Sequence, residues 1–410
     1  MVKHGASYPG REVMARESLR ILFVAPRIPF PPLYGDQVRA WNLLKYLSRR
    51  HTIVLVNPVF GSFGGEVQDR VRAVCYRWMP VKVARVIRLA NLYKYVFTRL
   101  PIQTILFCPP QLSKVVRNVV LCNDFELVHI ELVRCAPVLV EVEALPRVID
   151  FVDALSLNMH CRSLHRRGLV RLIFQEEARR LATLERQAVY SSERQLICSQ
   201  QDKEAIGKFP TLHVVPNGVD LDDFAYSEYG RESNLITFTG HMSYAPNADA
   251  AVYFAREVFP IIRARIPEAR FFVVGAHPPA MVRALGRVPG VVVTGSVARM
   301  QEYLWRTTVA VAPIRLGSGI QNKVLEAMAC GAPVVATSLA SQGLEHAVDG
   351  EHLIVADDPD TMAQRTVDLL KDRGLRLQLA RNARRLVEAE YTWERVVAKV
   401  EQVYRLAMGR

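Results

Sequence analysis

The stretch "VAVAPIRLGSGIQNKVLEAMACGAPVVATS", Val309–Ser338, reads as strand, loop, helix and strand. Val309–Ile314 is a short continuous apolar run, as expected of a strand buried on both faces of a parallel sheet. Gly317 and Gly319 then relax the backbone ahead of a helix that ends at Cys330-Gly331-Ala332-Pro333, where a β-branched run begins. Loops that follow parallel strands are where such sheets bind ligands. Glycines let backbone N–H groups approach an anion, and the helix N-terminus behind them adds its positive dipole. Lys323, in the first turn, brings a mobile charge; Glu326, about two turns in from Gly319, is placed to reach a pair of hydroxyls. Taken alone, the pattern also fits a glycine-relaxed turn that packs helix against sheet.

The same grammar extends in both directions. "LITFTG", "ARFFVVGA" and "GVVVTGS" precede the stretch as strands, "NADAAVYFAREVFPIIRARIP" and Arg299–Arg306 as helices, and "EHLIVAD" closes the series. An earlier set opens at "ILFVAP" (Ile21–Pro26), passes the loop "RIPFPPLYGDQ" and a helix over Val38–Leu47, and reaches "HTIVLVNP". It continues through 125–132, 146–153, a charged helix from Leu169 to Ala188, 194–200 and 213–220. Repeated strand–helix–strand units predict an α/β chain of two doubly wound, Rossmann-like domains facing a central cleft. The expected divisions are a polar tail at 1–20, a first domain at 21–208, a second at 209–388, and a C-terminal helix at 389–410 returning to the first domain.

At 410 residues the chain exceeds one ordinary core. Its 53 Lys and Arg against 40 Asp and Glu, a net +13, suit an anionic partner. Neither base-stacking platforms nor a helix-turn-helix pattern is evident, so nucleic acid is not expected. The seven cysteines never come closer than 13 residues, which argues against zinc pairs and a disulfide scaffold and points to a reducing, cytoplasmic compartment. No run of 18 apolar residues predicts a membrane span. The basic segments "KVARVIRLANLYKYVFTRL" (82–100) and "MHCRSLHRRGLVRL" (159–172) suit either a peripheral contact with an anionic membrane or a solvated helix face.

Several polar groups fall near strand ends. His129 and Glu131 share a strand face, with His129 reading as a packed residue. Asp150, Asp153 and Ser156 are candidates for catalytic or acceptor contacts, with Asp153 or Ser156 alternatively a helix N-cap. Gly35 permits close approach of a ligand or the facing domain, with Asp36 as a cap. Asp220 and Asp222 have the spacing of a metal-bridging pair, but Asn217-Gly218 beside them marks a turn that they would cap, and no metal site is expected.

Jointly, "VVPNGVDLDDF", "ITFTGHMSYAPNADAAVYFAREVFPIIRARIPEARFFVVG", "LGSGIQNKVLEAMACGAPVVAT" and "YTWERVVAKVEQVYRLA" resemble retaining glycosyltransferases of the GT-B fold, family 4. "RIPFPPLYGDQVRAWNLLKYLSRRH", "VIDFVDALS" and "GIQNKVLEAMA" are further similar to sugar transferases encoded with bacterial exosortase and exopolysaccharide systems. The resemblance implies a nucleotide-sugar donor of UDP or GDP type in the second domain, no cofactor, and a glycan or lipid-linked acceptor approaching from the first. It implies that Glu326 binds the ribose hydroxyls, that the backbone of Gly319 and Ile320 meets the diphosphate, and that Gly35 faces it across the cleft. Two departures stand out: the family's first loop glutamate falls on Ser318, and its Arg and Lys after the "TG" strand are replaced by "HMSYAPN". Arg315 and Lys323, supported by His241, are then the expected source of positive charge. Asp153 or a neighbour takes the place of a family histidine. A nucleotide-sugar epimerase and a non-catalytic binding module are the rival readings.

Overall fold

The structure, a computed structural model, describes residues 18–84, 91–164, 166–317 and 319–410. Strand β1 (Arg20–Val24) sends Ile21 and Phe23 to one face and Leu22 and Val24 to the other, and all four are buried. That two-sided burial is why the strands read as continuous apolar runs rather than alternating ones. With β2 (Thr52–Val59), β3 (Arg77–Lys82), β4 (Leu127–Glu131), β5 (Arg147–Asp150), β6 (Arg194–Ile197) and β7 (Leu212–Val214), β1 forms a parallel sheet ordered 3-2-1-4-5-6-7. Strand β3 escapes sequence reading because Pro80 interrupts it; at a sheet edge the missing N–H is tolerated.

The second sheet is parallel and ordered 10-9-8-11-12-13, from β8 (Leu235–Thr239), β9 (Arg270–Val274), β10 (Val291–Gly295), β11 (Val309–Ala312), β12 (Val334–Ala336) and β13 (Ile354–Val355). Each sheet reverses strand order once, between β1 and β4 and between β8 and β11, and such switch points open the crevices where ligands bind. The expected α/β architecture of two doubly wound domains is therefore present. The helix after β8 runs from Ala245 to Arg265 with a π turn at Phe254–Val258, which widens the backbone just before Pro260, where an α turn would clash.

The expected boundaries shift. Residues 209–214 belong to the first domain, because β7 extends its sheet. The chain crosses at Pro216–Asp220 and returns at Tyr391–Thr392, and the two crossings run side by side, Val219 N–H donating to Tyr391 O at 2.8 Å. Gly218 is required there: a Cβ would lie 2.8 Å from the Trp393 backbone nitrogen. The last helix, Trp393–Ala407, buries Trp393, Val396, Val400 and Tyr404 in the first domain's core, against Leu43 and Leu47. Arg50 clamps it through both oxygens of Glu401, at 3.1 and 2.9 Å.

Candidate functional site

Residues from both switch points line one cleft of about 860 Å³, at the upper end of the roughly 300–1,000 Å³ usual for ligand pockets. Gly35 opens α1 (Gly35–Leu47), the helix after β1, with free space where a Cβ would project. Leu132 and Val152, just past β4 and β5, also line the cleft, and both hold positive φ, 63° and 64°. A β-branched residue in that region is strained, and strain concentrated at a cleft marks a site whose backbone is held in place by its surroundings. Sequence gives no signal for it.

From the second domain, Gly240 and His241 follow β8, and the loop through Gly319 and Ile320 follows β11. Gly319 has φ +81°, and a Cβ there would stand 3.8 Å from both Asp153 and Asp202 of the first domain. Ile320 packs against Leu132, Val152 and Cys198, so the loop is keyed into the opposite domain. Asn158 donates to the Tyr244 hydroxyl at 3.5 Å, and the Tyr34 ring lies 5.1 Å from that of His241. The cleft is thus closed at its floor. Ser318 lies outside the described residues.

The helix α2 (Asn322–Ala329) begins without a side-chain cap, which leaves its first N–H groups directed at the cleft. Lys323 donates to Asn247 Oδ1 at 3.0 Å and Gln321 Oε1 at 2.8 Å, and its Nζ lies 5.7 Å from the Phe238 ring centroid. The ammonium therefore stands at the end of β8, beside the segment "HMSYAPN". Burial pushes its pKa down to about 8, against the pull of Glu326. Glu326 lies one turn further along α2; burial raises its carboxyl to about 7, Lys323 opposing. Its carboxylate has no hydrogen-bond partner among the described residues.

On the first-domain wall Asp153 is pushed up to about 7 by burial and by Asp202, with Arg134 pulling the other way. Asp202 is itself engaged, accepting from Ala154 N–H at 3.1 Å and from the Ser199 hydroxyl. Ser156 caps no helix; its hydroxyl donates to Glu185 at 2.5 Å. Asp36 pairs with Arg27 at 2.6 Å. His241 Nδ1 meets the Ser243 hydroxyl at 2.8 Å, and burial together with His277 lowers its pKa.

Arg315 is a correction. It lies outside the cleft lining, held by Asp249 at 3.0 and 3.2 Å over the Tyr253 ring. In this arrangement its guanidinium is turned to a carboxylate on its own domain's surface rather than into the cleft. Asp220 also has partners: Lys45 at 2.7 Å, the Tyr46 hydroxyl at 3.3 Å, and the N–H groups of Asp222 and Asp223. It ties the crossover to α1 as a turn residue.

Deeper in the first domain, His129, Glu131 and Asp150 bring ligand atoms within 4.8 Å of one another. The cation beside them is Arg39 of α1, paired with Asp150 at 2.6 Å and fully buried. Burial works against the Arg39 charge, but Asp150, Cys198 and Glu131 together outweigh it and hold the pKa above its ordinary value. His129 meets the Tyr404 hydroxyl at 2.9 Å and Glu131 at 3.3 Å, and burial drives the imidazole down to about 4 and the Glu131 carboxyl well up. Arg39 also donates to Asn217 Oδ1 at 3.0 Å, and Asn217 donates to Asn322 Oδ1 at 3.0 Å, at the head of α2. Sequence reading sees Asn217 only as a turn residue; this bridge between domains is new.

Residues 233–372 match the family model "Glycosyl transferases group 1". The phosphatidyl-myo-inositol mannosyltransferase of Propionibacterium freudenreichii is 30% identical over 204 residues, 47% of this chain and 50% of that protein. Its Mycobacterium tuberculosis counterpart is 28% identical over 217 residues, 48% and 54% of the two chains. The chain spans about half the length of the curated relatives it matches. Among solved structures, a sucrose-phosphate synthase from Thermosynechococcus elongatus superposes with TM-score 0.69 at 15% identity, over 95% of this chain and 99% of that one. Anabaena HepE, solved with UDP, gives 0.66 at 14% over 94% and 99%. At such identities the likeness concerns the fold, and what it shows is a GT-B architecture, whose second domain contains the residues that match the group 1 model.

Proposed function

We propose that this chain is a glycosyltransferase that moves a sugar from a nucleoside-diphosphate sugar to a glycan or lipid-linked acceptor, with retention at the anomeric carbon and without a metal. The observation that carries this reading is α2: an uncapped N-terminus, a cleft-facing ammonium at Lys323, and an unpartnered carboxylate one turn behind it. In the reaction the bond between the anomeric carbon and the diphosphate oxygen breaks, and the acceptor oxygen bonds to that carbon from the same face. The acceptor proton passes to the departing diphosphate. Negative charge grows on the leaving group, and preorganised donors stabilise it more than they stabilise the ground state. Lys323 and the N–H groups of Gly319 and Ile320 fill that role, with His241 beside them and Gly35 facing the phosphates. Glu326 accepts from the ribose hydroxyls. Asp153, against the glycine loop, accepts from a hydroxyl of the sugar or the acceptor.

A UDP-type donor is favoured because HepE is solved with UDP and with UDP-glucose. A lipid-bearing acceptor is favoured by the relatives named as phosphatidyl-myo-inositol mannosyltransferases. The proposed setting is bacterial polysaccharide or glycoconjugate synthesis in the cytoplasm, at the inner membrane face. Among the described residues no helix is long and apolar enough to cross a membrane.

A panel of UDP-, GDP- and ADP-sugars, read by thermal shift and by released nucleoside diphosphate, tests this. Stabilisation by one donor and diphosphate release that depends on acceptor are expected. Isomerised donor without transfer would establish an epimerase instead, and binding without turnover a non-catalytic module. No stabilisation by any nucleotide sugar would sink the donor site.

A further inference from the structure

The first-domain wall of the cleft continues outward into a surface that nothing in the described fold covers. Met159, Arg162, Ile173 and Phe174 line the cleft. They belong to a helical hairpin, Leu155–Leu164 and Gly168–Tyr190, whose tip stands free: Leu164 and every residue from 166 to 173 are exposed. Leu169 is 73%, Leu172 60% and Leu164 57% exposed. Apolar side chains at 169, 172 and 173 fall on one face of the helix, with Val170 at its edge, and that face is exposed rather than packed on the domain. Monomeric proteins rarely leave such a cluster in water without a use for it.

Charge gives the tip its chemistry. From 154 to 175 there is no Asp or Glu, while Arg162, Arg166, Arg167 and Arg171 are interleaved with the leucines. A second stretch, 70 to 123, also has no acid and includes the basic segment 82–100, of which 85–90 lie outside the described residues. Phe97 in that segment is 81% exposed. The two stretches are tied together: Arg180 donates to the carbonyls of Tyr95, Thr98 and Leu100, at 2.7, 3.0 and 3.2 Å, and Glu177 accepts from the N–H groups of Ile102 and Gln103.

We infer that the hairpin tip docks on the surface of an anionic bilayer and sets the acceptor side of the cleft at that surface. Leucines seated among acyl chains and arginines among phosphate headgroups satisfy both halves of the patch at once. A second copy of the chain would instead bring two sets of arginines together, a like-charge contact that disfavours association. The inference extends the proposed function, since it delivers a lipid-linked acceptor past Arg162, Ile173 and Phe174 into the cleft, and it rests on that reading for its purpose.

Sedimentation of the full chain with phosphatidylcholine vesicles, with and without phosphatidylglycerol, tests the docking. Binding is expected only to the anionic vesicles and is weakened by salt. The pairs Leu169→Ser/Leu172→Ser and Arg166→Glu/Arg167→Glu should each lower the vesicle partition coefficient about tenfold or more, with the thermal shift by nucleotide sugar unchanged. Equal binding to neutral and anionic vesicles, no binding at low salt, or undiminished binding by both variants would overturn it. So would a dimer that the leucine variant converts to monomer, which would make the tip a contact between copies. Vesicle binding without a response to any nucleotide sugar would leave the docking standing and remove the transferase reading instead.

Discussion

Arg39 on the helix after β1 and Lys323 on the helix after β11 each accompany a carboxylate near the switch point of their own sheet, Asp150 in one case and Glu326 in the other. In the first pair the charges meet at 2.6 Å, Asp150 also accepts from Val152 N–H at 3.0 Å, and Arg39 spends further donors on Pro216 and Asn217. In the second, Lys323 turns to Asn247 and Gln321 while the Glu326 carboxylate is left facing the cleft. The first pair is fully buried and the second half-buried against the cleft, and neither is freely exposed. What separates them is whether the acid has been given its hydrogen bonds.

The strongest way to break this comparison is Arg39→Met, which strands Asp150 as a buried carboxylate. A loss of about 3–5 kcal/mol in urea unfolding is expected, with more than half regained on adding Asp150→Asn. If Arg39→Met costs under ~1 kcal/mol, the pair is not the structural member. Next comes Glu326→Ala, which removes an unsatisfied, partly desolvated carboxylate: at neutral pH it should leave the free protein as resistant to urea as before or more so, and weaken nucleotide-sugar binding by about 1.5–3 kcal/mol, measured by calorimetry. Undiminished affinity would end the ribose assignment.

The pH dependence is of similar kind and somewhat smaller. The Glu326 carboxyl, raised from 4.5 to about 7, must be ionised to accept two hydroxyls, so donor affinity should fall about tenfold per pH unit below 7. In the free protein the sign reverses: the stability linked to the protonated form is fully present below pH 4.5 and is lost as pH rises through about 7. Asp153 titrates in the same range, so Glu326→Gln is the control, and it should flatten the affinity profile while leaving the Asp153 contribution to stability. Asn217→Ala, which cuts the bridge between the pairs, should cost about 1 kcal/mol and raise donor KM several-fold with little change in kcat; a pure loss of stability would reduce the bridge to packing. Arg315→Ala should be the mildest, within ~1 kcal/mol of stability because its Asp249 pair is exposed, and with turnover unaltered.

Much of this was legible in sequence for a definite reason. Val309–Ser338 displays strand, glycine loop and helix because each is a local pattern, and the positions of Gly319, Lys323 and Glu326 in the cleft follow from the strand-end rule. What was not legible depends on partners distant in the chain. Asp249 lies 66 positions from the Arg315 it binds, and Asn322 lies 105 from Asn217. The strain at Leu132 and Val152 is imposed by what packs around them, and the edge strand at Arg77–Lys82 survives its proline only because of where it sits in the sheet.

The helix Trp393–Ala407 has a consequence for biosynthesis. Trp393, Val396, Val400 and Tyr404 complete a core whose other residues begin at Leu19. During synthesis, that face of the first domain emerges early and must stay open until some 370 further residues have been made, whereas the second domain's core needs nothing after Tyr391. The ribosome therefore delivers a chain whose second half closes before its first, and the exposed seam left by Leu43 and Leu47 is where a chaperone would find it.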